Sequence, residues 1–114
     1  MTWWRVQTAD RDVTELLDPE NWVSRNWTDE SREQHGVSVC ASREGLATYL
    51  AASGLPLGDG QWVMVELTGR RLYTQAHDAH LGEVLIEPDG VVAVHELDDA
   101  MWDLIGAAFD AAQA

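Results

Sequence analysis

The sequence predicts an α+β domain, a small, twisted, mainly antiparallel sheet with two main helices. Three observations predict it. Residues 36–40 and 62–67 alternate in the period-two manner of strands, and 83–86 and 91–94 are short apolar runs. Residues 42–53 and 98–112 repeat apolar side chains at the spacing of an amphipathic helix. Gly- and Pro-bearing turns separate these stretches. At 114 residues the chain has the length of one domain with one core.

Taken in order, Trp3 to Thr8 reads as a first strand, with Trp4, Val6 and Thr8 on one face. Asp10 to Leu17 reads as a short helix capped by Asp10 or Asp12 and stopped by Pro19. Glu20 to His35 is polar and rich in turn formers, and Trp22 and Trp27 are expected to pin it to the core. Gly36 to Cys40 is the next strand. Ser42 is placed to cap a helix that runs to Ser53, with Gly54 and Pro56 ending it. Gly58-Asp59-Gly60 is a turn. Trp62 to Leu67 is a strand that sends Trp62, Met64 and Glu66 to one face and Val63, Val65 and Leu67 to the other, with Gly69 at its end. Residues 70–81 read as a loop. Glu83 to Ile86 and Val91 to Val94 read as two strands joined by a Pro88-Asp89-Gly90 turn. Asp98 or Asp99 caps a last helix whose face of Met101, Trp102, Leu104, Ile105, Ala108, Phe109 and Ala112 is broad enough for core packing.

Composition narrows the function. Twenty acidic residues face seven basic ones, all Arg, for a net charge of −13. Direct nucleic-acid binding is excluded by that balance, because phosphate contacts need Lys or Arg to displace counterions. An acidic membrane surface would be repelled too, whereas a basic protein partner would be attracted. Cys40 is the lone cysteine, so no internal disulfide forms, and the absence of a signal-like segment points to the cytoplasm. No apolar run is long enough to span a bilayer.

Glu83 is the most informative charge. It stands at the start of an apolar strand, after a loop holding His77, Asp78 and His80. A carboxylate placed there is partly desolvated, and it can orient a hydroxyl or stabilise a developing cation. The competing structural role is an edge-strand charge that blocks sheet-to-sheet association. His77 and His80 flank a carboxylate, but no third ligand has metal-binding spacing, so no metal is expected. Arg70-Arg71 is a basic pair suited to a phosphate or to surface carboxylates. Cys40 reads as a buried structural thiol.

An Arg on the first strand, the run Cys40-Ala41-Ser42-Arg43-Glu44-Gly45-Leu46-Ala47 after a strand, and Leu81-Gly82-Glu83-Val84-Leu85-Ile86 followed by a Pro together resemble the Arg–Ser–Glu class of the ADP-ribosyltransferase superfamily. Residues 39–67 are also similar to the small rifampin ADP-ribosyltransferases and to tRNA 2′-phosphotransferases. The resemblance covers residues 36–96 and, loosely, 1–8. It implies NAD as a cofactor. It implies that Arg5 contacts the pyrophosphate or the nicotinamide ribose, that Cys40 and Ser42 stand where the family's hydroxyl tripeptide supports the site, that Tyr49 stacks near the nicotinamide, and that Glu83 holds the ribose hydroxyl. A dinucleotide cleft in so acidic a chain would draw on Arg5, Arg70 and Arg71 for positive charge. Two departures bear on turnover: Cys40 replaces the first hydroxyl of the tripeptide, and Leu81 stands where arginine-modifying members carry a second Glu. A degenerate member that keeps the fold without activity stays open.

Two other readings compete. One is a non-enzymatic acidic binding module, namely an inhibitor, an immunity factor or a nucleic-acid mimic. Its acid-rich N-terminal third, from Asp10 to Glu33, is interrupted by Arg11, Arg25 and Arg32. The other is a small regulatory domain, a monomer or weak homodimer, that exposes an apolar patch around Trp22 and Trp27.

Overall fold

The computed structural model describes residues 2–25, 33–53 and 61–113. Trp27, Arg32 and the expected Gly54 to Gly60 turn region lie outside the described residues. The architecture is α+β. Eight regular elements follow one another: β1 (Trp3–Thr8), β2 (Val23–Arg25), β3 (Glu33–His35), β4 (Val37–Val39), α1 (Arg43–Ser53), β5 (Trp62–Arg71), β6 (Val84–Glu96) and α2 (Asp99–Gln113). A four-stranded antiparallel sheet has the order β1-β5-β6-β4, and β2 and β3 form a separate two-stranded ribbon. Neither helix is long and apolar enough to cross a membrane.

The sheet curls until its two edges touch. Trp4 lies opposite Glu66 on β5, and on its other side it forms an antiparallel bridge with Cys40, just past β4. Both bridge hydrogen bonds are short, 2.8 Å from Trp4 N to Cys40 O and 2.7 Å from Cys40 N to Trp4 O. Beyond that bridge the strands part. The chain leaves Cys40 for α1, so Arg5 to Thr8 pair only with β5.

Alternation along the strands divides the apolar residues between two clusters. Trp3, Val37, Val39, Val65, Leu67 and Ile86 pack with Leu16 on one face, joined by Val13 and Trp22. Cys40 and Met64 pack on the other face with Leu46, Ala47 and Leu50 of α1 and Met101 of α2. Met64, Val65, Leu67, Leu85, Ile86 and Met101 are fully enclosed. The strand β5 is therefore apolar on both faces, as the split of Trp62 and Met64 from Val63, Val65 and Leu67 requires.

The short helix expected within residues 10–17 is a 3-10 helix, Val13–Leu17, and three other segments differ from the sequence expectation. Asp12 caps it by accepting from the Thr14 N–H at 2.9 Å and from its hydroxyl at 2.7 Å. The 20–35 region contributes the ribbon β2–β3. Trp22 is pinned as expected: its indole N–H donates to Leu16 O at 2.9 Å. Pro88-Asp89-Gly90 is not a turn, because β6 runs unbroken from Val84 to Glu96. The pairing with β5 slips at Glu66/Leu67 and Thr68/Gly69, so the Pro sits at a bulge, where a missing ladder donor is tolerated. Gly69 does not end β5, which continues to Arg71. Its place is fixed by close approach: a Cβ there would lie 2.6 Å from Glu87 O and 2.8 Å from Pro88 Cα.

Besides their shared core, the two helices are linked by an ion pair at their N-terminal ends. Asp98 caps α2 by accepting from Met101 N at 2.8 Å, and it receives a forked contact from Arg43 at 3.0 and 3.2 Å. Arg43 also lies over the Trp4 ring, 5.8 Å from its centroid. The α2 face is less fully packed than its pattern suggests. Met101, Leu104 and Ile105 reach the core, while Trp102 and Phe109 stay exposed.

Candidate functional site

A cavity of about 230 Å³ opens where β1 and β4 part beyond the Trp4–Cys40 bridge. Its wall is built from β1 (Trp4, Arg5, Val6), β4 and Cys40, α1 and the start of β2, with Glu83, just before β6, completing it. Arg5, Tyr49 and Glu83, three of the residues singled out in the sequence, all line it.

Glu83 is held at both oxygens. Ser38 donates its hydroxyl to Oε2 at 2.5 Å, and the Asp78 N–H donates to Oε1 at 2.9 Å. In return Glu83 N donates to Asp78 O at 3.2 Å. This reciprocal pair closes the loop between β5 and β6. The loop's last turn, Ala79–Leu81, ends at Gly82 with φ of 96°, a left-handed position that suits glycine. Asp78 also accepts from the Tyr49 hydroxyl at 3.4 Å. A carboxylate has about four lone-pair sites, so two remain on Glu83 for a further donor. Such a carboxylate is preorganised to accept a hydroxyl.

Arg5 has the opposite situation. Its side chain is half-buried, and its Nε is enclosed with no hydrogen-bond partner among the described residues. Burial, and secondarily the Arg11 guanidinium, pull its pKa down to about 10, with Tyr49 opposing. The group is still charged at neutral pH. A desolvated cation without a counter-charge is unfavourable unless something anionic arrives.

Cys40 and Tyr49 are protonated. Burial first, and the Glu83 charge second, push the Cys40 thiol up to about 12. The Tyr49 phenol is raised by burial, then by Glu83 and Asp78. Neither is a nucleophile or a base near neutral pH.

Ser42 and Arg70 lie outside the cavity lining. Ser42 caps α1 by accepting from Gly45 N at 2.9 Å, which satisfies an otherwise unpaired helix donor. Arg70 pairs with Glu87 on the β5–β6 ladder, and Glu87 also binds His35 at 2.7 Å. Those two partners hold the Glu87 carboxyl below its ordinary range. Among the described residues, no three His, Cys, Asp or Glu side chains gather into a metal-holding group. Ser38 and Asp78 were not marked as site residues by the sequence. The one available signal was strand phase, since Ser38 stands two positions before Cys40 and shares its face.

Comparison with models of protein families, with curated proteins and with solved structures yields no match. The functional reading therefore rests on the cavity itself.

Proposed function

We propose that the protein binds a small anionic molecule bearing hydroxyl groups, of the sugar-phosphate class, in the cavity between β1, β4 and α1. The carrying observation is Arg5, whose enclosed Nε has no acceptor among the described residues, in the same cavity as the fixed Glu83 carboxylate. An anionic group would sit on Arg5, a hydroxyl would donate to Glu83, and an apolar portion would lie against Val6, Val39, Leu46 and Leu50. The volume is below the roughly 300–1,000 Å³ of common ligand pockets, which suits a mononucleotide-sized ligand better than a dinucleotide. The nicotinamide-ribose-phosphate half of NAD is the version that the ADP-ribosyltransferase resemblance implies. With Cys40 and Tyr49 protonated and Glu83 engaged on both oxygens, the reading is of binding rather than turnover.

The test is a heteronuclear NMR titration with ribose 5-phosphate, nicotinamide mononucleotide and NAD. Shifts should cluster at Arg5, Tyr49 and Glu83, with the mononucleotide bound at least as tightly as NAD. Arg5→Met should abolish them while leaving the fold as stable or more stable, because a half-buried charge whose Nε has no acceptor among the described residues is removed. Absence of shifts at millimolar ligand, or shifts confined to Arg70 and Arg71, would remove the proposal.

A further inference from the structure

The C-terminal helix carries an aromatic stripe on its outer side. Trp102 is 42% exposed and Phe109 is 52% exposed. They are seven residues apart, two turns of helix, and so lie on one face. Gly106 falls between them, and nothing lies within 4 Å of where its Cβ would stand. The stripe thus has a notch between two rings. At its N-terminal end Trp102 borders a groove of about 320 Å³ shared with Trp62, Val63 and Leu97. Trp62 Nε1 has no acceptor among the described residues.

Charge surrounds this stripe asymmetrically. The row beside it on the helix is Asp99, Asp103 and Asp110, all exposed, and Glu96 borders the groove. Residues 72–114 contain no Lys or Arg at all. A second copy of this chain would bring another aspartate row and another charge of −13 against the first, which opposes self-association.

We propose that this face of α2 docks a basic amphipathic helix of another protein. Two apolar residues of the partner would bracket or enter the Gly106 notch between Trp102 and Phe109, and Lys or Arg side chains alongside would meet the aspartate row. The mode is helix against helix with aromatic anchors and an electrostatic rim. This surface is separate from the Arg5 cavity, with which it shares no lining residue.

The probe is an amphipathic Leu/Lys peptide of about five helical turns, compared with a scrambled peptide of the same composition at about 150 mM salt. Binding is followed by fluorescence and by the Trp102 indole N–H signal. The amphipathic peptide should shift that signal and bind about tenfold or more tightly than the scrambled one. Trp102→Ala and Phe109→Ala should each weaken it about tenfold, and Asp103→Asn with Asp110→Asn should flatten its salt dependence. Phe109→Ala keeps the test valid if Trp102→Ala unfolds. Equal binding of the scrambled peptide, or undiminished binding by Phe109→Ala, would overturn the proposal. So would a concentration-dependent dimer abolished by Phe109→Ala, which would assign the face to a second copy.

Discussion

Cys40 joins three constraints in one residue: it bridges to Trp4, packs under α1 and lies near Glu83. Its thiol is 2% exposed as a residue and pushed up to about 12, so native thiolate is scarce at pH 8. A chromogenic disulfide reagent should therefore label it only as fast as the structure opens, and urea should accelerate the reaction in step with unfolding. Rapid stoichiometric labelling in native buffer would contradict this enclosure. Because the folded pKa lies above the ordinary 9.0, the thiol's contribution is full below pH 9 and declines as pH rises from there toward 12. The Tyr49 phenol, shifted in the same direction, adds to that alkaline loss. Glu83 shows what a single residue can and cannot disclose. Its place before an apolar run marked it as unusual. That it binds Ser38 and the Asp78 backbone depends on which strand lies beside it, and no local pattern encodes that.

At the scale of elements, the strands and helices with strong periods were legible. Trp62 to Leu67 obeyed its two-face split, and Ser42 and Asp98 capped the helices that their positions announced. The misreadings share a cause: a local turn signal overridden by pairing. Pro88-Asp89-Gly90 has turn chemistry, yet β5 runs alongside, and Thr68 donates to Asp89 at 2.6 Å, absorbing the extra residues as bulges. Likewise Val23–Arg25 becomes a strand because Glu33–His35 lies opposite. Gly106 is the converse case, a helix-weakening residue that no packing requires. Gly106→Ala should stabilise the protein by about 0.5–1 kcal/mol, read as a higher urea midpoint at unchanged slope. A destabilised variant would mean that the glycine has a structural role.

For the whole molecule, charge dominates. A net −13 on 114 residues opposes the compact state, and the ion pairs around Glu87 and Asp98 are too exposed to offset it much. The thermal midpoint at pH 7 should rise between about 0.02 and 0.5 M NaCl as repulsion is screened. A falling midpoint would show that attractive pairs outweigh it. Acid acts in two stages. Mild acid reduces repulsion. Further down, Glu87, held low by His35 and Arg70, and Asp98, held low by the Met101 N–H first and Arg43 second, lose those contacts as pH falls below their ordinary 4.5 and 3.8 and through the lowered values. Sequence gave the sign and size of this charge directly. The curled sheet and the cavity it opens were not legible, because they arise from pairing between residues distant along the chain.

The bridge between Trp4 and Cys40 also sets an order of events. Trp3 faces Leu67 and Trp4 touches both Glu66 and Cys40. β1 leaves the ribosome well before β5 and must wait for it before it is bonded on that side. At about 5–20 residues per second, that interval is on the order of several seconds. During it two neighbouring tryptophans have no sheet to cover them. A strand made well before its partner is thus enclosed late, and its tryptophan pair is a segment in need of protection until β5 arrives.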